Sequence, residues 1–397
     1  MNPSARKVYN ANFTAKKYKK FLGELNKGLQ GPIAFRVAET PVFLTKDFRD
    51  KLISAGEDII DTILQPNFKE FTERSIPAKW KVADENNHPH FIALDFGVCK
   101  DAGGDIVPKL IELQGFPSLY GFQVQIADSF GDNFNIDNDW TVYFSGLNRT
   151  SYLDLLKKTI LGPCSPDEVV LMDVNAPEQK TVVDFYATQR YIGTPVVSLA
   201  DLEQEGRQLF YRVNGERKPI KRIYNRLIFD EIDNDPHIFD KVVDIRKSFD
   251  VEWITHPNWF YRISKFTMPF LSGDYIPKTQ FLNQVKEVPH DLENYVLKPL
   301  FSFAGQGVII DVKKNDIENI EDPENWILQQ KVNYEPVVQA PDGGVKVEIR
   351  LLYLWPDGDK KPTLAINLAR LSRGKMIGVR YNKDFDWVGG TIAFMER

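Results

Sequence analysis

The sequence predicts a mixed α/β or α+β protein. Three observations carry that expectation: a strand–helix–strand pattern within residues 165–255, two half-apolar runs facing each other across a glycine turn at 91–114, and a strand–glycine loop–strand near 295–312. The chain has 397 residues, 43% of them apolar and 26% charged, enough to bury a large core. Single cores stop growing beyond roughly 250–300 residues, so two or three subdomains are expected. The formal net charge of −5 argues against nucleic-acid binding, which usually leaves a basic footprint. No apolar run has the length of a membrane span. Met1 to Leu25 holds many lysines and no continuous apolar stretch, so it does not read as a secretory signal. Cys99 and Cys164 are the only cysteines and form no CxxC pair. These features together read as a soluble protein of a reducing, cytoplasmic compartment.

Residues 1–75 are expected to be mainly helical. Thr45 can cap a helix whose apolar positions Phe48, Leu52, Ile59 and Ile63 recur at near-helical spacing. Residues 76–145 read as strands, with HFIALDFGV and VPKLIELQGF either side of Asp101–Asp105. Residues 1–150 therefore form a helical N-terminal segment plus a β-hairpin. Residues 165–255 open with a strand from Val169 to Val174, an amphipathic helix at about 178–192 and a strand from Thr194 to Leu199. This βαβ unit implies parallel pairing in a Rossmann-like subdomain. A hairpin at Asn214-Gly215 and a short strand, Arg222 to Asn225, follow. Residues 256–397 hold a helix at about 257–271, the strand–glycine loop–strand and further strands.

In that last region, Tyr295 to Pro299 ends an apolar strand on Lys298 and runs into Ala304-Gly305-Gln306-Gly307, then into Val308 to Val312. Small residues let backbone N–H groups close on an anion, and a lysine beside them adds a mobile point charge for phosphate oxygens. The same residues also suit an ordinary hairpin with a solvated lysine. Neither a GxxxxGK[ST] loop nor a GxGxxG after a first strand is present. Trp326 to Val332 turns from apolar to polar through Gln329, Gln330 and Lys331. It can offer backbone groups to an adenine edge, or be a plain core strand.

The 91–114 hairpin carries the most geometry. With Gly103-Gly104 as a two-residue turn, Asp95 stands opposite Glu112 and Ala93 opposite Gln114. Directly opposed side chains have Cβ atoms about 4.5–5.5 Å apart, so two carboxylates there need a proton or a cation between them. Asp95, Glu112 and the Gln114 amide oxygen form a hard oxygen set that suits Mg²⁺, and a solvated polar face is the alternative. Lys265 lies among the apolar residues Trp259, Phe260, Met268 and Phe270, where it can snorkel or reach a phosphate. Arg370, Arg373 and Arg380 cluster late in the chain, and arginine forks suit carboxylate or phosphoryl oxygens. Tyr224-Asn225-Arg226 reads as structural, and no Ser-His-Asp arrangement occurs.

Taken in order, these motifs resemble the circularly permuted ATP-grasp enzymes, specifically the synthetase part of glutathionylspermidine synthase. Asp95 with Glu112 and Gln114 in IELQGFPSLYGF is similar to the family's metal-binding residues, and Ile263-Ser264-Lys265 to its first ATP lysine segment. Val296 to Pro299 with the glycine loop is similar to its second lysine segment, Ile327 to Gln330 to its adenine hinge, and Gly378-Val379-Arg380 to its C-terminal arginine segment. In the ordinary, unpermuted order an acid stands two residues before a late Asn, whereas Asn367 has Ala365 there. Two positions depart from the family: Gln114 replaces an Asn, and Ala93 stands where an Arg is expected.

The resemblance implies an ATP-grasp-like fold and an ATP-dependent carboxylate–amine ligase forming an amide or peptide-like bond through an acyl phosphate, with ATP and Mg²⁺ as cofactors. Its partners would be small-molecule or peptide carboxylates and amines. Asp95, Glu112 and Gln114 would hold metal. Lys265, Lys298, Ala304, Gly305, Gln306, Gly307, Gln329, Gln330 and Lys331 would hold nucleotide, and Arg380 would steady the acyl phosphate. The alternatives are a non-catalytic nucleotide-binding module, which Ala93 favours, and a phosphotransferase acting on a hydroxyl.

Overall fold

A computed structural model describes residues 1–397 except 30, 233–236, 303–305, 375, 376, 378–381 and 383, and except the side chains of 230 and 231. A six-stranded antiparallel sheet forms its centre. Gly343–Leu354 lies in the middle, flanked by Phe91–Lys100 and Thr363–Ser372, with Ile106–Gln114 and Gly389–Thr391 outermost and Val338–Ala340 added to the central strand. One face is apolar along its whole length: Ile92, Leu94, Phe96, Ile349 and Leu351 share a core with Phe48, Leu52, Ile59 and Ile63. Those last four belong to the helix Lys46–Ile63, whose first turn is capped as expected, the Thr45 hydroxyl accepting from Phe48 N. The other face is divided. Phe91, Ala93, Leu352 and Leu354 bury one half in a second core, while Asp95, Glu348, Arg350 and Arg370 occupy the rest.

The 165–255 region forms the expected parallel sheet. Val169–Asp173 pairs in parallel with Val196–Ser198 across the helix Val182–Ile192. Arg222–Asn225 and Glu252–Ile254 extend it on the opposite edge. The Asn214-Gly215 hairpin joins Gln208–Val213 to Glu216–Ile220. Arg226 is structural: buried, it pairs with Asp184, whose Oδ1 accepts the N–H groups of Gly121 and Phe122. A third sheet, Thr279–Phe281, Trp326–Gln330 and Tyr295–Pro299, carries the late motifs. Among the described residues no helix is long and apolar enough to cross a membrane.

Three expectations are corrected. Residues 76–145 are not all strand, because Tyr120–Phe134 is a helix. Tyr120 to Ile126 are all buried in it, so its first two turns show no amphipathic period, and only Ala127, Asp128, Gly131 and Asp132 farther along reach solvent. The helix expected at about 257–271 is broken. Asn258–Arg262 ends at Ile263, and Ser264 then caps a 3₁₀ turn, Lys265–Phe270, that contains Pro269. The strand expected at Val308 to Val312 is reduced to a single bridge, Ile309 to Leu297.

Candidate functional site

Asp95 does stand opposite Glu112, and Ala93 opposite Gln114. The route to that register differs from the expected one. Lys100 pairs with Ile106, so the loop is Asp101 to Asp105 rather than the two glycines, with Gly104 N donating to Asp101 O. Continued unbroken, that register would oppose Asp95 to Ile111. A bulge between Asp95 and Phe96 leaves Ile111 without a partner and shifts Glu112 into place. The carbonyl freed at Ile111 accepts from Lys298 Nζ at 3.1 Å. An early hairpin and a lysine 187 residues later are thereby in contact.

The cation expected between the carboxylates is supplied by the chain. Arg350 pairs across the strands with Asp95, and Glu348 with Arg370, so the period of two puts all four on one face. Arg350 holds Asp95 with both arms of its fork, at 2.5 and 2.6 Å, and donates to Ser118 Oγ at 3.0 Å. Arg370 reaches Asp95 Oδ2 at 2.6 Å and also binds Glu348. Tyr334 donates to the other oxygen of Glu348 at 2.9 Å. Tyr334 can lie there because Gly97 has no side chain: a Cβ on Gly97 would stand 2.8 Å from the tyrosine ring. Asp95, Glu112 and Glu348 thus face Arg350, Arg370 and Lys298, three acids against three cations.

Burial pushes the Asp95 carboxyl up, but Arg350 and Arg370 overcome it and hold the group below its ordinary value. Glu348 goes the other way: burial raises it, helped by Asp95 and Glu112, against the pull of Arg370. Burial lowers Lys298, opposed by Glu112 and Glu348.

These contacts test the expected metal set. Both oxygens of Asp95 carry guanidinium hydrogens, so Asp95 does not fit as a metal ligand. Glu112 and Gln114 fit better. Glu112 is half-buried, and its Oε1 accepts from Gln114 Nε2 at 3.0 Å and lies 3.8 Å from Arg350. One carboxylate with an adjacent amide matches Mg²⁺, which completes its shell with waters and phosphates. For a nucleotide the fit rests on Gln329, buried at 1% exposure with neither end of its amide hydrogen-bonded.

The remaining expected residues divide. Lys265 Nζ donates to the carbonyl and hydroxyl of Ser302, at 2.8 and 2.7 Å, and so meets the start of the glycine loop. Gly115 fixes that approach. Its N–H donates to Ile263 O at 2.9 Å, and a Cβ there would lie 2.4 Å from Trp259 O. Gln306 and Gly307 are exposed. Gln330 is exposed, and Lys331 turns outward to Glu293 O at 3.2 Å and Asp311 at 3.6 Å. Ala304, Gly305 and Arg380 lie outside the described residues. Asn367 is a buried strut between Val142 and Ala393. Arg350 was missed by the sequence reading. The signal was there: Lys346, Glu348 and Arg350 alternate with apolar residues in one strand, Glu348 and Arg350 are buried, and buried charges require partners.

A solved glutathione synthetase-like effector from Globodera pallida, in its apo form, has a similar fold. The TM-score is 0.60, covering 96% of each chain. The likeness is one of fold alone, since the identity is 10%. No protein-family model and no curated protein matches this sequence.

Proposed function

We propose that this protein binds ATP between the 91–114 hairpin and the small sheet bearing Lys298, and uses it to join a carboxylate to an amine. The observation that carries the reading is the contact of Lys298 with Ile111, which sets a phosphate-seeking ammonium beside Glu112 and Gln114. The likeness in fold to a glutathione synthetase-like effector supports a ligase scaffold.

Carboxylates do not react with amines at neutral pH because the leaving group is poor. Attack of the carboxylate on the γ-phosphorus of ATP expels ADP and gives an acyl phosphate. Attack of the amine on the acyl carbon then expels inorganic phosphate, loses a proton and leaves the amide. In this reading Lys298 and Lys265 bind phosphate oxygens, Lys265 from its place beside Ser302. Glu112 and Gln114 would hold a Mg²⁺, which neutralises phosphate charge when bound. Asp95 acts differently from the expectation: it anchors Arg350 and Arg370, and Arg370, half-exposed, can turn toward developing charge.

The test is ADP release with ATP, Mg²⁺ and a panel of carboxylates, with and without amines. Removing one charge-stabilising donor typically costs about 10²–10³ in rate. Lys298→Ala and Glu112→Ala are expected to lose ADP formation to that extent while remaining folded. Activity within tenfold of wild type in Glu112→Ala would remove Glu112 from the site. A second reading, a binding module without chemistry, is favoured by Ala93 and by the internal neutralisation of Asp95. ATP binding without amine-dependent ADP release would select it.

A further inference from the structure

A cavity of about 390 Å³ opens where the helix Phe68–Phe71 and the turn Glu73–Ser75 meet the 3₁₀ turn Lys265–Phe270 and the strand Thr279–Phe281. That size falls within the range of small-molecule sites, about 300–1,000 Å³. Four phenyl rings, those of Phe71, Phe266, Phe270 and Phe281, line it, and Arg74 and Glu324 add charge of both signs. Glu324 precedes the strand Trp326–Gln330, so the cavity sits at the other end of that strand from Gln329, Gln330 and Lys331. It is separate from the site described above.

Three features suit this cavity to a guest. Phe270 is 40% exposed, although its ring centre stands 4.7 Å from that of Phe71 and 5.7 Å from that of Phe281. An aromatic rim open to water is apolar area that a ligand can still bury. The Arg74 guanidinium is held over two of the rings, 4.9 Å from Phe266 and 5.2 Å from Phe281. Its hydrogen bonds go to neutral oxygens, Glu324 O at 3.0 Å and Asn325 Oδ1 at 3.4 Å, and among the described residues it has no ion pair. The Glu324 carboxylate is exposed and has no ion pair among those residues either. One cavity therefore holds a cation and an anion that do not neutralise each other. A phosphate would gain Arg74 but be repelled by Glu324, and a hydrocarbon would leave both charges unused. The complement is a zwitterion with an apolar body. We propose that the cavity binds a free aromatic α-amino acid, with its carboxylate on Arg74, its ammonium on Glu324 and its ring among the four phenylalanines. An arginine carries five N–H donors, so three remain for a carboxylate after the two bonds already made.

The experiment titrates the full chain calorimetrically with L-phenylalanine and with three probes that each lack one part of it. L-Phenylalaninamide lacks the carboxylate, 3-phenylpropionate lacks the ammonium, and L-alanine lacks the ring. L-Phenylalanine is expected to bind with millimolar affinity or better, and L-alanine to give no binding. Loss of the carboxylate or of the ammonium should each weaken binding about fivefold, since ion pairs open to water are worth less than buried ones. Arg74→Gln should bring phenylalanine and its amide to equal affinity. Glu324→Gln should do the same for phenylalanine and phenylpropionate. Both side chains are exposed, so both variants should melt with the wild type when no ligand is present. No binding of L-phenylalanine by the wild type, or binding undiminished in either variant, overturns the assignment. If a variant does not fold, the probes on the wild type decide: equal affinity for phenylalanine and both of its truncated forms overturns it. No nucleotide enters these titrations, so their outcome is independent of the ATP reading.

Discussion

Asp95 is 1% exposed and stays ionised because two guanidinium groups outweigh its burial. Removing one partner of a buried ion pair strands the other, at a cost of about 3–5 kcal/mol. Asp95→Asn should lower stability by that amount in urea unfolding, and adding Arg350→Met should restore part of it. A single mutant within about 1 kcal/mol of wild type would show that the network does not hold the sheet. The sign with pH follows from the depressed value. The stabilisation is present above the ordinary carboxylate range and is lost as pH falls through the folded value, so the variant should lack that acid limb. The sequence made the Asp95–Glu112 opposition legible and required a cation there. It did not reveal that the cation was Arg350, because cross-strand neighbours 255 residues apart leave no local pattern.

At the scale of elements, the hairpin shows how a register can be read correctly through an incorrect turn. Gly103-Gly104 suggested a two-residue turn, but the wider loop closes between Lys100 and Ile106 and the bulge at Ile111 restores the expected opposition. Periodicity constrains which face a residue occupies, whereas a bulge is a one-residue event with no compositional signature. Helix Tyr120–Phe134 was hidden for the converse reason, its first two turns being buried all round. Gly115 joins the hairpin to the segment bearing Lys265, and it is testable. Gly115→Ala places a Cβ against the Trp259 carbonyl. Forced overpacking typically costs about 1–3 kcal/mol. That loss in urea, together with weaker ATP binding from a displaced Lys265, is the expected outcome. Unchanged binding would mean that the two segments are not mechanically linked.

Across the whole molecule, the turn from Glu252–Ile254 into Asn258–Arg262 connects the parallel sheet to the segment bearing Lys265, and His256 secures it. Its Nε2 donates to Ala83 O at 2.8 Å, while Nδ1 accepts from Asn258 N at 3.2 Å. The Nδ1 contact needs the neutral ring, and burial lowers its pKa to about 4 against the pull of the Ala83 carbonyl. The unfolded chain takes up that proton near the ordinary value of 6.5 and the folded chain does not, so stability rises with pH between the two values and falls as pH drops from 6.5 toward 4. At about 1.4 kcal/mol per unit the full span amounts to roughly 3 kcal/mol. His256→Gln can keep a donor and an acceptor without titrating. In parallel urea titrations from pH 7 to pH 4, the wild type should lose stability faster than the variant, the difference growing below pH 6.5. Parallel curves would show that His256 is protonated in the folded chain as easily as in the unfolded one. The junction would then owe its order to the Arg262 contacts with Glu85 and Glu73.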